Sequence, residues 1–248
     1  MVKKVFLSVI IPALNEGRRL ASTILDIDRH LSHKEINFEI LVVLSPGDDH
    51  SPELLSRLAV AIPSLRFVEL GKDKGRGFAI KEGLRMVTGS WRLVMDADNA
   101  IPIVEYGKIE PYLDDFDVFV GSRILKRSNI LTPAPRLRAL CGKISRSVIN
   151  TLMFWDIKDS QSGFMCLSES ATSSVLRYSK IDGWLFNTEA LAIARKIGCK
   201  TREFPVNWHY VGGSHLTPKE YFSSAGKLFR LWTDLLWNRY HIRRKFAA

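Results

Sequence analysis

The sequence predicts a Rossmann-like α/β fold in which helices flank a mainly parallel, mixed sheet. Short apolar runs alternate along the chain with segments of helical periodicity, and this alternation is typical of parallel strands joined by crossover helices. Apolar residues make up 46% of the 248 residues, which is sufficient for a large packed core. No Ser/Gly/Pro-rich linker divides the chain, so most of it is expected to form one domain.

The individual elements follow from the apolar pattern. The predicted strands are VFLSVII (5–11), FEILVVL (38–44), RFVEL (66–70), WRLVMD (91–96) and FDVFVGS (116–122). The predicted helices are one with Leu20, Ile24, Ile27 and Leu31 on one face, PELLSRLAVAI (52–62), residues 75–87, a helix after Pro102, and a long helix over residues 135–155. Parallel sheets bind ligands beyond the carboxyl ends of their strands, so a site is expected at that edge.

The N-terminal segment has a basic start and a seven-residue apolar run, which superficially resembles a signal peptide. It passes into a charged helix without a small-residue cleavage site, so a buried strand is the better interpretation. No segment reaches the ~20 apolar residues of a membrane span, and the sequence as given is not expected to cross a bilayer. The three cysteines show neither disulfide nor zinc spacing and indicate buried thiols in a reducing compartment.

The formal net charge of +10 and the sequence pI of about 9.6 favour an anionic partner. Charge alone does not separate a nucleic acid, a membrane surface and a phosphorylated substrate. No RNA- or DNA-reading motif accompanies the basic residues, so nucleic-acid binding is the least expected of the three.

Polar residues cluster where four of the predicted strands end. Each loop would be polar in any protein, but four such groups on one edge favour a shared ligand site. The groups are Pro12, Asn15 and Glu16 after the first strand, residues 45–49 after the second, Asp96 and Asp98 after the fourth, and residues 121–123 at the end of the fifth.

Asp96 and Asp98 stand one residue apart, where a turn can direct both carboxylates towards one ion. Hard oxygen ligands at an open site suit Mg²⁺ or Mn²⁺, which keep waters and bind substrate phosphates. Capping of the next helix is the ordinary alternative. Residues 74–77 (KGRG) lack both the dinucleotide-binding spacing and the P-loop lysine, but Lys74 and Arg76 suit either a diphosphate or a helix N-terminus.

Six segments occur in an order that is typical of one enzyme family. They are SVIIPALNE (8–16), KGRGFAIKEG (74–83), LVMDADNAIP (93–102), VGSR (120–123), DSQSGF (159–164) and GWLFNTEALAIARKIGCKTREFPVNW (183–208). Together they resemble the inverting GT-A glycosyltransferases of family two, in particular the polyprenyl-phosphate (dolichyl-phosphate) glucosyl- and mannosyltransferases, over roughly residues 5–216. The resemblance implies a GT-A fold, a donor of the UDP-glucose or GDP-mannose type and a polyprenyl or dolichyl phosphate acceptor. DSQSGF and GWLFNTEAL are most similar to the glucosyltransferase branch.

The resemblance also implies roles for individual residues. The implied nucleotide-sugar pocket consists of Pro12, Ala13, Glu16, Ser45, Arg76, Asp96, Ala97, Asp98 and Gln161. Mg²⁺ or Mn²⁺ would bind Asp96 and Asp98, with Asp98 as the principal ligand. The implied catalytic residues are Asp98, Asp159 and Arg123. The implied acceptor-phosphate residues are Arg123, Arg138 and Lys143.

The chain departs from the family pattern at several positions. These are Leu44-Ser45 in place of an Asp-Asp that binds the base and ribose, Leu14 in place of an aromatic residue, Ala100 in place of a metal-binding glutamine of mannosyltransferases, and His215 in place of a lysine. Asp48 and Asp49 lie downstream of the expected acidic pair. The departures affect the expected identity of the nucleotide more than the fold or the role of Asp98.

A phosphate acceptor fits the basic residues that follow the fifth strand. A phosphate monoester is already largely a dianion at neutral pH and needs no general base, whereas a hydroxyl acceptor does. Its repulsion from the donor diphosphate must be offset by cations. Because a phosphate acceptor needs no general base, Asp159 is expected to position other groups. The cations, which would otherwise form a solvated helix face, are Arg123, Arg127, Arg136, Arg138, Lys143 and Arg146.

Residues 219–248 are predicted to form an amphipathic C-terminal helix with a basic tail, after a catalytic domain of residues 1–218. The apolar stripe consists of Phe222, Ala225, Leu228, Phe229, Trp232, Leu235, Leu236 and Tyr240, and HIRRK (241–245) follows. Such a helix suits an anchor at a membrane interface. Packing on the enzyme's own core or on a membrane partner is the alternative.

The expected protein is a metal-dependent hexosyltransferase bound peripherally at the cytoplasmic face of a membrane, with or without a membrane-spanning partner subunit. One alternative keeps the donor but uses a soluble acceptor such as phosphoglycerate or a glycan. Another is a non-catalytic subunit that binds a nucleotide-sugar. The presence of Asp96, Asp98, Arg123 and Asp159 favours an active enzyme.

Overall fold

The computed structural model describes residues 4–153, 156–212 and 218–242. Its strands are β1 (Leu7–Ala13), β2 (Phe38–Leu44), β3 (Leu65–Glu69), β4 (Trp91–Val94), β5 (Val118–Ser122), β6 (Asn129–Thr132), β7 (Met165–Ser168), β8 (Thr201–Pro205) and β9 (Asn207–His209). Its α-helices are α1 (Gly17–His33), α2 (Ser51–Ala61), α3 (Arg76–Met86), α4 (Arg136–Met153), α5 (Glu169–Tyr178), α6 (Phe186–Ile197) and α7 (Pro218–Leu236).

The central sheet has seven strands in the order β3-β2-β1-β4-β7-β5-β8. Neighbouring strands are parallel except at β7, which runs antiparallel to both β4 and β5. Because β7 is antiparallel to both of its neighbours, β4 and β5 point in the same direction. The predicted mainly parallel, mixed sheet flanked by helices is confirmed. β6 and β9 pair separately as a small parallel sheet.

Apolar side chains cover both faces of the central sheet. In β1, Val9 and Ile11 pack on the face covered by α1 and α2, while Ile10 packs on the face covered by α3 and α6. This alternation is the period of two expected of a strand buried on both faces. The predicted apolar stripe of α1 is confirmed, since its residues at positions 20, 24, 27 and 31 are fully buried.

The N-terminal apolar run forms β1 in the middle of the sheet, which confirms the interpretation as a buried strand. Cys166 and Cys199 are buried and Cys141 is half-buried, and none of the three forms a disulfide. Within the described ranges, no helix has both the length and the apolar character that a membrane span requires.

The segment after Pro102 differs from the prediction, because it forms 3₁₀ helices over Ile103–Lys108 and Glu110–Tyr112 and not an α-helix. Gly107 has low helix propensity, and Pro111 lacks the amide that an α-helix would use. Ile103 and Tyr106 are nevertheless fully buried, so the apolar residues that suggested a helix do belong to the core.

The C-terminal helix α7 packs on the body of the protein. Leu228 and Leu231 are buried, and the Tyr240 hydroxyl donates a hydrogen bond of 2.6 Å to the buried Glu189 carboxylate. Packing on the enzyme's own core, one of the two alternatives for this segment, is therefore present. Phe229 and Leu236 of this helix, and Trp237 directly after it, are exposed. Outside the described residues lie Trp155, His215 and residues 243–248, together with the side chains of Phe222 and Ala225.

Candidate active site

Four strands bring their carboxyl ends to one edge of the sheet. β1 and β2 end side by side, with Ala13 paired to Leu44. β4 lies on the other side of β1 and leads into Asp96 and Asp98. β5 runs in the same direction and leads directly into Arg123. The predicted gathering of polar residues at this edge is therefore found in the structure.

Arg76, the first residue of α3, holds the carboxylate of Asp96. Its Nη2 and Nε donate to Asp96 Oδ1 at 2.6 and 3.1 Å, and its Nη1 donates to the side-chain carbonyl of Asn187 at 3.3 Å. The Asn187 amide in turn donates to the Ser162 carbonyl at 2.6 Å. Gly75 has a φ of 103°, which favours glycine, and this backbone turn begins the helix that carries Arg76.

The segment 159–164 (DSQSGF) approaches Asp96 very closely at Gly163. A Cβ atom added at Gly163 would lie 1.8 Å from Asp96 Oδ2. A side chain at this position would therefore displace either the carboxylate or the backbone. The glycine allows the two motifs to meet.

The turn between the two aspartates is fixed from α1. Ala97 is buried, and its carbonyl accepts a hydrogen bond of 2.8 Å from the Thr23 hydroxyl. Asn99 adopts a φ of 53° and donates from Nδ2 to Asp26 at 3.1 Å. The direction in which the chain leaves β4 is therefore set by side chains of a neighbouring helix.

Asp98 is half-buried and its surroundings disfavour its charge. Burial raises the pKa of the Asp98 carboxyl above its ordinary value, and the charge of Asp96 raises it further. A hydrogen bond of 3.0 Å from the Ala100 amide and the nearby charges of Arg19 and His209 act in the opposite direction. A cation at Asp98 would favour the ionised carboxylate, which suits a ligand role.

The turn that carries Asp96 and Asp98 offers few metal-ligating side chains. Among the residues that the structure describes, no group of three or more His, Cys, Asp or Glu side chains is placed to hold a metal ion. Asp96 and Asp98 can supply two hard oxygen ligands and would leave the remaining positions to water and substrate oxygens. Mg²⁺ and Mn²⁺ bind in this way when they are shared with a diphosphate. The residues present therefore fit the predicted metal.

Arg123 and Asp159 form a bidentate ion pair beside β5. Arg123 Nε and Nη2 donate to the two Asp159 oxygens at 2.7 Å each, and the Arg123 backbone amide donates to Oδ2 at 2.9 Å. Burial of Asp159 alone would raise its pKa, but the charge and hydrogen bonds of Arg123 outweigh burial and hold the pKa below its ordinary value. Asp159 is therefore an ionised, fully buried anchor for Arg123.

Glu203 of β8 fixes the backbone on the other side of this ion pair. Its two carboxylate oxygens accept hydrogen bonds from the amides of Lys158 and Asp159, both at 2.8 Å. Burial holds the pKa of the Glu203 carboxyl above its ordinary value, although the two amide hydrogen bonds act in the opposite direction. The position of Asp159 is thus determined by both β5 and β8.

Aromatic residues that follow β8 lie against two of the predicted arginines. The ring of Trp208 is 5.9 Å from the Arg123 guanidinium, and the ring of Tyr210 is 5.4 Å from that of Arg138. These distances are typical of cation–π contacts, which also limit the movement of the guanidinium groups. Both arginines are therefore held by the same short segment.

Gln161 connects the DSQSGF segment to α4. Its side-chain carbonyl accepts a hydrogen bond of 3.3 Å from the Ser145 hydroxyl. Lys143 lies two residues before Ser145 and is exposed. Arg138 and Lys143, two of the three residues predicted for the acceptor phosphate, are thus on the helix that contacts the Asp159 segment.

A cleft lies beyond the carboxyl ends of β2 and β3 and includes Ser45 in its lining. Asp49 also lines it, but its Oδ2 accepts hydrogen bonds of 2.8 Å from the Gly17 amide and the Ser51 hydroxyl. Asp49 is therefore engaged in fixing the starts of α1 and α2. Glu69, at the end of β3, also lines the cleft and is a carboxylate that the sequence pattern did not single out.

The remaining residues predicted for the nucleotide-sugar pocket lie around the end of β1. Ala13 is buried, and Pro12 is half-buried. Glu16 precedes α1, and its carboxylate accepts a hydrogen bond of 2.9 Å from Arg19. Glu16 is absent from the lining of the cleft, although it lies at the same edge of the sheet.

Residues 8–176 match the model of the family described as Glycosyl transferase family 2. The chain is a member of this family. A dolichyl-phosphate beta-glucosyltransferase of Dictyostelium discoideum is 29% identical over 237 residues, which cover 90% of this chain and 72% of the relative.

Two solved structures show the same fold. Mannosyl-3-phosphoglycerate synthase from Rubrobacter xylanophilus superposes with a TM-score of 0.70 at 15% identity, covering 96% of this chain and 76% of that one. Glucosyl-3-phosphoglycerate synthase from Mycobacterium tuberculosis, in complex with Mn²⁺, UDP and glucosyl-3-phosphoglycerate, superposes with a TM-score of 0.64 at 18% identity over 97% and 81% of the two chains. The predicted family and the GT-A fold are both confirmed.

Several side chains at the edge of this family 2 domain were not predicted individually. Asn187 and Glu203 lie within a motif that the sequence identified, but its pattern did not indicate which side chains turn towards Asp96 and Asp159. His209 follows the same motif, and its amide donates to the Ala100 carbonyl at 3.1 Å. These contacts join segments that are far apart in the sequence, so local periodicity carries no signal for them.

Proposed function

We propose that this family 2 member transfers a hexose, with inversion, from a nucleoside-diphosphate sugar to a polyprenyl phosphate. The observation that carries the proposal is that one sheet edge holds both the Asp96–Asp98 pair and the buried Arg123–Asp159 ion pair, with the basic helix α4 beyond them. The name of the Dictyostelium relative supports a dolichyl phosphate acceptor and glucose as the sugar. UDP-glucose is therefore the first donor to test, and GDP-mannose the second.

On the donor side, Asp96 and Asp98 would hold Mg²⁺ or Mn²⁺. When bound, the cation supplies Lewis-acid stabilisation of the departing diphosphate. The Mn²⁺ and UDP in the Mycobacterium tuberculosis structure support this assignment. Arg76 adds a positive charge beside Asp96, and the cleft containing Ser45 and Glu69 is the place for the nucleoside.

On the acceptor side, an oxygen of the phosphate would form a bond to the anomeric carbon while the bond from that carbon to the diphosphate breaks. No proton has to be removed from a dianionic phosphate. Asp159 agrees with this, because both of its oxygens bind Arg123 and its pKa is held below the ordinary value. Arg123, Arg138 and Lys143 would offset the repulsion between the two phosphate groups.

Gly163→Ala is expected to reduce kcat/KM for the donor by about a hundredfold, because an added methyl group displaces the Asp96 carboxylate, and small misplacements of reacting groups have large effects. Steady-state kinetics and calorimetric titration with UDP and Mn²⁺ measure this effect. Gly71→Ala is the matched control, since nothing lies within 4 Å of an added Cβ there. Unchanged kinetics in Gly163→Ala would show that the close approach to Asp96 has no functional importance.

The membrane is the proposed location of the acceptor, and we propose that the protein binds peripherally at the cytoplasmic face. A membrane-spanning partner subunit is compatible with this arrangement. We propose a division into residues 1–218 and 219–248, in which the second segment is not independent of the first, because α7 buries Leu228 and Leu231 against the core. Removal of the second segment is expected to expose apolar core surface.

The direct test is to incubate the protein with UDP-glucose or GDP-mannose, Mg²⁺ or Mn²⁺, and either a polyprenyl phosphate or 3-phosphoglycerate. Mass spectrometry then identifies any product. The expected product is a polyprenyl phosphate glucose that is formed only with the divalent metal. The ion-pair variant Arg123→Gln, which removes a predicted acceptor contact, should form little product.

Two outcomes would replace the proposal. Glycosylation of 3-phosphoglycerate without glycosylation of the lipid would indicate a soluble acceptor. Binding of UDP with Mn²⁺ but no transfer to either acceptor would support a non-catalytic nucleotide-sugar-binding subunit.

A further inference from the structure

Glu189 of α6 is a buried carboxylate that the proposed reaction does not use. Burial holds the pKa of its carboxyl above the ordinary value. Its oxygens accept hydrogen bonds from the amides of Lys180 and Ile181 at 2.8 and 3.0 Å, and from the hydroxyl of Tyr240 at 2.6 Å. A buried charge is costly for stability, whereas its hydrogen bonds fix the neighbouring groups in one arrangement. Glu189 therefore specifies the geometry of the segments that it joins.

The two amides belong to residues 180–183, which we call the 180–183 loop. This loop lies between α5 and α6 and packs against α3. The Asp182 carbonyl accepts a hydrogen bond of 2.9 Å from the Phe78 amide, and the Asp182 carboxylate forms an ion pair of 2.5 Å with the buried Lys81 Nζ. The loop is thus bonded to both the first and the second turn of α3.

The backbone at the start of α3 lies directly against this loop. A Cβ atom added at Gly75 would lie 2.9 Å from the Asp182 carbonyl oxygen, and one added at Gly77 would lie 2.8 Å from the carbonyl oxygen of the next loop residue. Arg76 stands between these two glycines. A displacement of the loop would therefore move the backbone of Arg76, whose side chain holds the Asp96 carboxylate.

Tyr240 connects the loop to the C-terminal segment. Its ring is buried, and Lys180 Nζ lies 4.5 Å from the ring centroid and donates to the Arg239 carbonyl at 3.2 Å. Lys196 of α6 donates to the Leu235 carbonyl in the last turn of α7 at 2.5 Å. The residues that end and follow α7 therefore pack on the loop and on α6 together.

We infer that Glu189 and Tyr240 are positioning residues for the donor site. Together they hold the 180–183 loop against α3, and the loop in turn keeps Arg76 in contact with Asp96. This inference rests on the proposed function for the donor side. It gives the C-terminal segment a role in binding the donor diphosphate, whereas the sequence pattern indicated a membrane anchor or core packing.

Tyr240→Phe removes the hydroxyl and keeps the ring. The amide of Phe78 should exchange its hydrogen about tenfold faster than in the wild type, and the Kd for UDP with Mn²⁺ should rise about fivefold. The KM for the polyprenyl phosphate should stay the same, because the loop supports the donor side of the site. Hydrogen exchange followed by NMR, calorimetric titration and steady-state kinetics provide the three measurements.

Tyr106→Phe is the matched control, because Tyr106 is fully buried on the other face of the sheet and its hydroxyl has no hydrogen-bond partner among the described residues. It should change neither the exchange of the Phe78 amide nor the Kd. Ile109→Val, on the same face as Tyr106, controls for a general loss of stability. Comparable effects in either control would overturn the inference, and so would unchanged exchange and Kd in Tyr240→Phe.

A thermodynamic cycle tests whether the effect of Tyr240 passes through Arg76. Arg76→Ala removes the guanidinium that contacts Asp96. In this background Tyr240→Phe should leave the Kd for UDP with Mn²⁺ unchanged, because the group that it helps to position is already gone. Fully additive effects of the two changes would show that Tyr240 does not act through Arg76.

Glu189→Gln tests the carboxylate itself. A glutamine keeps the size of the side chain but has one acceptor oxygen in place of two, so at least one donor loses its partner. The Kd should rise more than in Tyr240→Phe, and an unchanged Kd in the folded variant would contradict the role of Glu189. If the wild type binds neither UDP nor GDP with Mn²⁺, the proposed function fails, but the exchange rate of the Phe78 amide still decides whether Glu189 and Tyr240 hold the start of α3.

Discussion

Asp98→Asn is expected to lower kcat for hexose transfer by about a hundredfold or more, because it removes the principal ligand of a cation that stabilises the leaving diphosphate. The same change is expected to leave the metal-free protein as stable as the wild type, or more stable. Burial and Asp96 raise the pKa of Asp98, so the fold disfavours the charge that the substitution removes. The destabilisation that comes from this charge is absent below the ordinary pKa of an aspartate and is fully present above the raised pKa of Asp98.

Thermal unfolding at neutral pH in the presence of EDTA measures the stability effect, and single-turnover transfer with saturating Mn²⁺ measures the effect on chemistry. Asp115→Asn is a suitable control, because this exposed residue precedes β5 at the opposite edge of the sheet. Substantial activity in Asp98→Asn would refute the role of Asp98 as metal ligand. A clear drop in Tm would contradict the inference that the fold disfavours its charge.

Asp159→Asn is expected to have the opposite effect on stability, with a loss of about 3–5 kcal/mol in the free energy of unfolding. Asp159 is fully buried, and its loss of charge leaves Arg123 without its bidentate partner. Transfer to a phosphate lipid should be reduced but measurable in the folded variant, because an amide can still orient Arg123 in part and no base is required. Urea unfolding and kinetics on the same preparation provide the two measurements.

The pH dependence provides an independent check on this ion pair. The folded-state pKa of Asp159 is lowered, so its contribution to stability is present above the ordinary aspartate pKa of about 4 and is lost as the pH falls through the lowered value. The stability of the wild type should therefore decrease more steeply than that of Asp159→Asn in the acidic range below about pH 4. Parallel acid-unfolding curves would argue against an ionised Asp159.

A double variant distinguishes a buried unpaired charge from a general loss of packing. Asp159→Asn/Arg123→Gln should recover part of the stability lost in Asp159→Asn, because no arginine is left without its carboxylate. It should not recover transfer, because Arg123 is proposed to meet the acceptor phosphate. Complete loss of transfer in the folded Asp159→Asn variant with normal donor binding would instead indicate that Asp159 acts as a general base.

The sequence was sufficient for the features that depend on local periodicity. The stripe at positions 20, 24, 27 and 31 predicts the buried face of α1, and the apolar runs predict β1, β2 and the approach of β4 to Asp96. In a parallel sheet these strand ends meet at one edge. The order of the quoted motifs is specific enough to indicate the family from the sequence alone.

Short or unusual elements were harder to predict from the sequence. β7 has only four residues, MCLS, which give neither a long apolar run nor an alternating pattern, and it is inserted antiparallel between β4 and β5. The pairing of β6 with β9 likewise joins distant segments, since Asn129 and its partner Asn207 are 78 residues apart, and the two strands are exposed or half-exposed. Propensity says little about such strands, because their stability comes from their neighbours.

By itself, the sequence determined the family, the layered α/β architecture and the position of Asp96, Asp98 and Arg123 at the carboxyl edge, since these follow from strand periodicity and motif order. Only the tertiary structure decided which groups meet across that edge. It paired Arg123 with Asp159, placed Gly163 against Asp96 and turned the apolar stripe of α4 outward. Local periodicity indicates which residues can share a face, but the direction of that face depends on how distant segments pack together.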